Sequence, residues 1–103
     1  MLVGKAYKRW LRLIKKCENL FGKDKKEVED GAAINQTMLI SGKRIGIRKV
    51  TDDEALAAAL ILHKRDGAYI PLSEEKIISK LKVKPERIKK ILKKFKKAVD
   101  VDF

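Results

Sequence analysis

Lysine is concentrated near the end of the chain, in a segment whose apolar residues have helical spacing. Between residues 85 and 99 the polar positions carry one arginine and six lysines against the single acid Glu86. Positions 87, 90, 94 and 97 are three or four residues apart, so on a helix they form one continuous basic ridge. Such a ridge fits the major groove of duplex DNA in width and charge. Because one arginine and no side-chain amide are available to read base edges, the pattern favours phosphate contacts over sequence readout.

The segment before this helix completes a DNA-binding motif. A short helix capped by Ser73 is predicted over residues 73–81, and residues 82–84 form a three-residue turn. Pro85 suits the first position of the next helix, because its fixed φ is helical and its missing N–H is not needed there. Two helices joined in this way are typical of a helix-turn-helix, here at residues 73–99, whose second helix protrudes.

A second basic segment, KRIGIRKV at residues 43–50, is predicted to be a loop. It is either a solvated connector or a further set of phosphate contacts. The predicted DNA-binding residues of the helix, the turn and this loop are Lys82, Lys84, Arg87, Lys90, Lys93, Lys94, Lys97, Lys43, Arg44, Arg48 and Lys49. Two alternatives stay open for the last helix: a solvated face of a helical bundle, or contact with an anionic membrane surface.

Catalysis is not favoured by any residue pattern in the sequence. His63 is the only histidine and closes an apolar helix, where a structural role is expected. Cys17 is the only cysteine, which excludes an internal disulfide and a cysteine-cluster zinc site. The acids at 52–54 and 74–75 stand at helix starts, where capping and the helix dipole explain them. We therefore expect a protein that is not an enzyme and uses no cofactor or metal.

The overall composition also favours a nucleic-acid partner. The chain has 103 residues, enough for one domain, and its 45% hydrophobic content supports a packed core despite 39% charged residues. Its formal net charge of +12 favours a polyanion, with nucleic acid ahead of a membrane surface. No apolar run reaches membrane-spanning length, and the apolar stretch at the N-terminus is too short for a signal peptide. We expect a soluble, cytoplasmic protein associated with the nucleoid.

Five helices are predicted to position these residues. The first covers residues 5–21, with Trp10 and Cys17 on its apolar face, and ends at Gly22. The second covers residues 24–40. The fourth and fifth are the helices of the helix-turn-helix, and the fifth has a buried stripe of Ile88, Ile91, Leu92, Phe95 and Val99.

The third predicted helix carries the strongest structural signal. Thr51 and Glu54 have the spacing of a capping box, and the residues that follow, 55–63, are apolar on every face. Gly67 is a suitable terminator after residue 65. A helix without a polar side must be surrounded by other elements, so we expect it at the centre of the domain.

Residues 55–95 resemble a known family. They carry an alanine-rich helix that ends in basic residues and glycine, then a proline loop, a short helix, a valine turn and a basic last helix. The matching residues are Ala57, Ala58, Ala59, Leu60, Lys64, Arg65, Asp66, Gly67, Pro71, Leu72, Ile77, Ile78, Val83, Glu86, Arg87 and Ile88. This pattern resembles the cyclin-box repeat of archaeal transcription factor B and its eukaryotic counterpart. Residues 5–42 agree with it in helix length and amphipathicity.

The resemblance implies an all-α, five-helix cyclin-like domain with a central helix at about residues 52–65. Family members carry a zinc ribbon and two tandem boxes, whereas this chain has no zinc ligands and room for one box. We therefore expect a single-box variant of archaeal or viral origin that takes part in transcription. By resemblance it would bind duplex DNA and contact the TATA-binding protein or RNA polymerase. The alternative is a cyclin-like protein-interaction module whose helical groove holds a peptide or an acidic protein, and the oligomeric state stays open.

Overall fold

The computed structural model shows an all-helical protein. It describes residues 4–21, 37, 40, 47, 49–67 and 70–101, of which 5, 6 and 97–101 are described by their backbone alone. Within these ranges the chain forms no strand, which confirms the predicted all-α class. The helices are α1 (Lys5–Phe21), α2 (Asp52–Arg65), α3 (Glu74–Lys80) and α4 (Pro85–Val101).

The helix predicted over residues 24–40 lies largely outside the described residues. Thr37 and Ile40, which are described, have helical backbone and are fully buried. A fifth helix therefore stays a prediction.

α2 lies at the centre of the fold, as its sequence predicts. Seven consecutive residues, from Ala55 to Ile61, are each at most 1% exposed, so about two turns of the helix have no solvent face. The capping box is present: the Glu54 amide donates to Thr51 Oγ1 (3.1 Å) and the Thr51 amide donates to Glu54 Oε1 (3.0 Å). Gly67 follows the helix with a φ of 99°, a left-handed conformation that favours glycine. Both predicted ends of this helix are confirmed.

The helix, turn and helix predicted within residues 73–99 are also present. Ser73 Oγ accepts a hydrogen bond from the Lys76 amide (3.2 Å) and caps α3. At the other end of α3, the amides of Lys82 and Val83 donate to the carbonyls of Ser79 and Ile78 respectively, both at 3.2 Å. These two bonds form a Schellman motif, with Lys82 in the left-handed conformation at a φ of 55°. The motif reverses the chain, and α4 begins at Pro85.

The core is formed by the apolar faces of three helices around α2. α1 contributes Leu13 and Cys17, both fully buried, and Trp10 packs partly buried against the same cluster. The predicted position of Trp10 and Cys17 on the apolar face of α1 is therefore confirmed. α4 packs against α2 through a buried stripe of Ile88, Ile91, Leu92 and Phe95. Val99, the remaining member of the predicted stripe, has no described side chain, and the predicted cap at Gly22 lies outside the described residues.

Candidate nucleic-acid interface

The outer surface of α4 is a lysine face. We use this name for its five exposed lysines, which are Lys89, Lys90, Lys93, Lys94 and Lys96. No ion pair joins any of them to an acid within the described ranges. Five ammonium groups along two turns of helix without acidic partners repel one another, so an anion is favoured beside them.

The position of the lysine face follows from the sequence of α4. The residues of its buried stripe recur every three or four positions, so they fix one side of the helix against α2. The intervening positions must then point away from the core, and these are the lysine positions. Of the predicted ridge, Lys90 and Lys94 belong to this face. Lys97 continues the same spacing along α4, but its side chain is outside the described set.

A shallow groove extends the lysine face towards α2. It has a volume of about 250 Å³, and Lys89, Lys93 and Lys96 line it together with Arg65 from the last turn of α2. Lys89, Lys96 and Arg65 were not among the predicted DNA-binding residues. The spacing of 89, 93 and 96 is itself helical and could have indicated the two lysines. Arg65 comes from another helix, so no spacing in the sequence indicates its position.

Arg87, which the sequence placed on the basic ridge, binds an acid of the protein itself. Its guanidinium donates from Nε to Glu54 Oε2 (2.8 Å) and from Nη2 to Glu54 Oε1 (3.1 Å). The hydrogen bond from Arg87 is the main reason why the pKa of Glu54 lies below its usual value, and the Thr51 amide adds to the effect. Arg87 Nη2 also lies 3.4 Å from the Lys49 carbonyl oxygen. Arg87 therefore links α4 to the start of α2, whereas the five residues of the lysine face point outward.

The same end of α2 binds two cations from α1. Arg9 donates from Nε and Nη2 to Asp52 Oδ1, at 3.0 and 2.6 Å. Lys16 forms an ion pair with Asp53. Three consecutive acids thus bind three cations from two other helices, where the sequence analysis predicted only capping and dipole effects. Because these acids are already paired, they do not offset the charge of the lysine face.

The remaining predicted DNA-binding residues fall in two places. Lys82 and Lys84 are exposed on the turn and line a groove of about 430 Å³, which Arg87 also borders. Lys49 is exposed before α2, in the left-handed conformation with a φ of 53°. Lys43, Arg44 and Arg48 lie outside the described residues, so their contribution stays a prediction. The structure therefore places the turn lysines beside Arg87, at the start of α4.

His63 Nε2 is buried and has no hydrogen-bond partner among the described residues, so no orienting group for acid–base chemistry is seen there. In the part of the chain that the structure describes, no group of three or more His, Cys, Asp or Glu side chains is placed to hold a metal ion. No described helix is long and apolar enough to cross a membrane.

Comparisons with known proteins did not extend these observations. Protein-family models, curated proteins and solved structures were searched, and none matches the chain. The function therefore has to be inferred from the chain's own residues.

Proposed function

We propose that this protein binds duplex DNA and that the lysine face of α4 makes the main contact. One observation carries the proposal: five exposed lysines on one helix, none paired with an acid among the described residues. α4 is also the second helix of a helix-turn-helix, the element that enters the major groove in many DNA-binding proteins. The turn before α4 adds two further exposed lysines, Lys82 and Lys84, which line a groove together with Arg87, Asp53 and Glu54.

The chemistry of the lysine face favours affinity over sequence selectivity. Ammonium groups neutralise phosphates and release condensed counterions, which stabilises complexes with many DNA sequences. Bidentate recognition of base edges relies on Arg, Asn and Gln. The arginine of α4, Arg87, is bound to Glu54, and α4 contains neither Asn nor Gln. We therefore propose backbone binding that is strong at low salt and weakly selective.

We further propose that the domain is a single cyclin-like box of five helices with a role in transcription. The buried central α2 and the helix-turn-helix that follows it support this idea, and the helical backbone at Thr37 and Ile40 is compatible with a further helix. Contact with the TATA-binding protein or RNA polymerase, and association with the nucleoid, belong to the same proposal. The protein contacts rest on the resemblance alone, whereas association with the nucleoid follows from the proposed DNA binding.

The DNA proposal is tested by reversing two lysine charges on α4 and, in a separate variant, two lysine charges on α1. Lys90→Glu/Lys94→Glu changes two exposed residues of the lysine face, and Lys8→Glu/Lys15→Glu changes two exposed residues of α1. Binding to a labelled duplex is measured by fluorescence anisotropy. We expect the α4 pair to weaken binding at least tenfold and the α1 pair to weaken it by roughly threefold or less, because close contacts outweigh screened charge. Arg87 is left intact, since its substitution would also break the contact with Glu54.

Two results would overturn the proposal. Equal losses in the two variants would mean that net charge alone attracts DNA. Full binding by the α4 variant would place the interface elsewhere. A circular dichroism spectrum like that of the wild type shows in each case that the fold is retained.

A further inference from the structure

α1 exposes two large apolar side chains beside its buried stripe. Within the described ranges, the large apolar side chains that stand exposed are Tyr7 and Leu11, at 55% and 47%. They are four residues apart and therefore neighbours on one face of the helix. The buried residues Leu13 and Cys17 lie on an adjoining side of α1, roughly 80–120° around the helix from Tyr7. Together they give this side of α1 a small apolar area that an apolar partner surface would cover.

Cations surround this apolar pair. Lys8, Arg12 and Lys15 are exposed, and none forms an ion pair with an acid that the structure describes. Lys8 and Arg12 line a depression of about 550 Å³ together with Leu11. We call Tyr7, Lys8, Leu11, Arg12 and Lys15 the α1 patch.

Three further charges of α1, on described side chains, are already engaged. Arg9 and Lys16 bind Asp52 and Asp53 at the start of α2. The acid of α1, Glu18, is half-buried and has a partner of its own. The α1 patch therefore presents an apolar centre and a positive rim, with no free acid of α1 to compensate the rim.

We propose that the α1 patch binds an acidic amphipathic segment of a partner protein. The apolar residues of that segment cover Tyr7 and Leu11, and its carboxylates pair with Lys8, Arg12 and Lys15. The complementarity of both charge and polarity identifies this class of partner. The proposal does not depend on DNA binding, because the α1 patch and the lysine face lie on different helices.

Other occupants match the α1 patch less well. Duplex DNA neutralises the rim, but its phosphate backbone offers little apolar surface to cover Leu11. A second copy of the chain would bring two sets of the same cations together, which costs free energy. An anionic membrane binds a helix that buries an exposed apolar face among the lipids, but most of the apolar face of α1 is packed into the core.

The proposal is tested with a defined probe. The probe is a labelled helical peptide of roughly 15 residues, with leucines four residues apart and glutamates on both sides of them. Control peptides carry lysine in place of glutamate, or the same residues in scrambled order. Binding is compared for the wild type, Lys8→Glu/Arg12→Glu, Tyr7→Ser/Leu11→Ser and the matched α4 variant Lys90→Glu/Lys94→Glu.

We expect the acidic amphipathic peptide to bind the wild type and the α4 variant alike. Each α1 variant should weaken this binding about tenfold, since charge and apolar contacts both contribute at an interface centre. The two control peptides should bind much more weakly. The Tyr7→Ser/Leu11→Ser variant replaces exposed side chains, so its fold should be unchanged by circular dichroism.

Three results would contradict the proposal. If the scrambled peptide binds equally well, or Tyr7→Ser/Leu11→Ser has no effect, the contact is general electrostatic attraction. If Tyr7 and Leu11 are instead needed for binding to phosphatidylglycerol vesicles, the α1 patch is a membrane contact. If they are needed for a dimer seen by analytical ultracentrifugation, the occupant is a second copy.

Discussion

Glu54 combines two contacts at the start of α2. Its carboxylate accepts the Thr51 amide in the capping box and the guanidinium of Arg87 from α4. Its side chain is 12% exposed, so the carboxylate is largely shielded from water. Glu54 therefore contributes both to the N-terminal cap of α2 and to the contact between α2 and α4.

Acid should weaken this contact. The pKa of Glu54 is lowered from an ordinary value of 4.5, chiefly by the hydrogen bond from Arg87. An acid whose pKa is lower in the folded than in the unfolded state adds stability above its ordinary pKa, and this stability is lost as pH falls through the lowered value. We expect the free energy of unfolding to fall between about pH 5 and pH 3 in the wild type and to fall less in Glu54→Gln. Urea unfolding across this range measures the difference.

Glutamine at position 54 is informative because it keeps the capping box while removing the charge. Glu75→Gln is the matched control, since Glu75 is exposed and forms no ion pair with a described residue. Its pH profile should follow the wild type. Identical profiles for Glu54→Gln and the wild type would show that the Arg87 contact adds no pH-dependent stability.

Lys82 holds a conformation that lysine rarely adopts. Its φ of 55° is required by the Schellman motif that ends α3. Lys82→Gly should be more stable than Lys82→Ala by about 1 kcal/mol, because glycine has no Cβ to clash in the left-handed region. Both variants remove the same charge, so their difference in urea unfolding isolates the backbone strain. Equal stabilities, or a more stable alanine variant, would contradict this account of the turn.

Among the helices, α2 is the element that every other described helix approaches. Its alanines at 57, 58 and 59 are fully buried and leave little room between the helices. Ala58→Leu keeps a strong helix former but adds three carbon atoms to the core, so we expect it to lower the free energy of unfolding by about 1–3 kcal/mol. Lys76→Leu, at an exposed position of α3, should change it by less than roughly 0.5 kcal/mol. Similar effects at the two positions would contradict tight packing around α2.

The bounds of α1 and α2 could be predicted from the sequence because their signals are local. The capping box at Thr51 and Glu54, the apolar run that follows and the terminator Gly67 together specify α2 within one stretch of chain. The short α3 and the start of α4 follow from Ser73 and Pro85 in the same way. Helical spacing also identified most of the lysines on the outer side of α4.

Contacts between distant residues could not be predicted in this way. Glu54 and Arg87 are 33 residues apart, and Arg9 and Asp52 are 43 apart. Helical spacing shows which side of a helix is polar, but it does not show which acid on another helix meets each cation. For this reason helical spacing groups Arg87 with the lysines of α4 and does not indicate that Arg65 lies near them.

At the scale of the whole molecule, a net charge of +12 is distributed unevenly. The acids at the start of α2 bind cations of α1 and α4, and Glu74 binds Arg65. Among the described residues, clusters of cations without an acidic partner lie on the lysine face and on the α1 patch, besides single exposed lysines such as Lys76 and Lys82. We propose that these surfaces serve different partners: the lysine face is purely polar and fits a polyanion, whereas the α1 patch also exposes apolar groups.

The salt dependence of DNA binding tests the central proposal most directly. The equilibrium constant for a labelled duplex is measured over a salt series for the wild type and for Lys90→Ala/Lys94→Ala. If the five lysines of the lysine face each neutralise a phosphate, log K should fall with log[salt] with a slope of about −4 to −5, and the variant should reduce the magnitude of this slope by about two. A slope near zero in the wild type, or the same slope in the variant, would contradict phosphate binding by the lysine face.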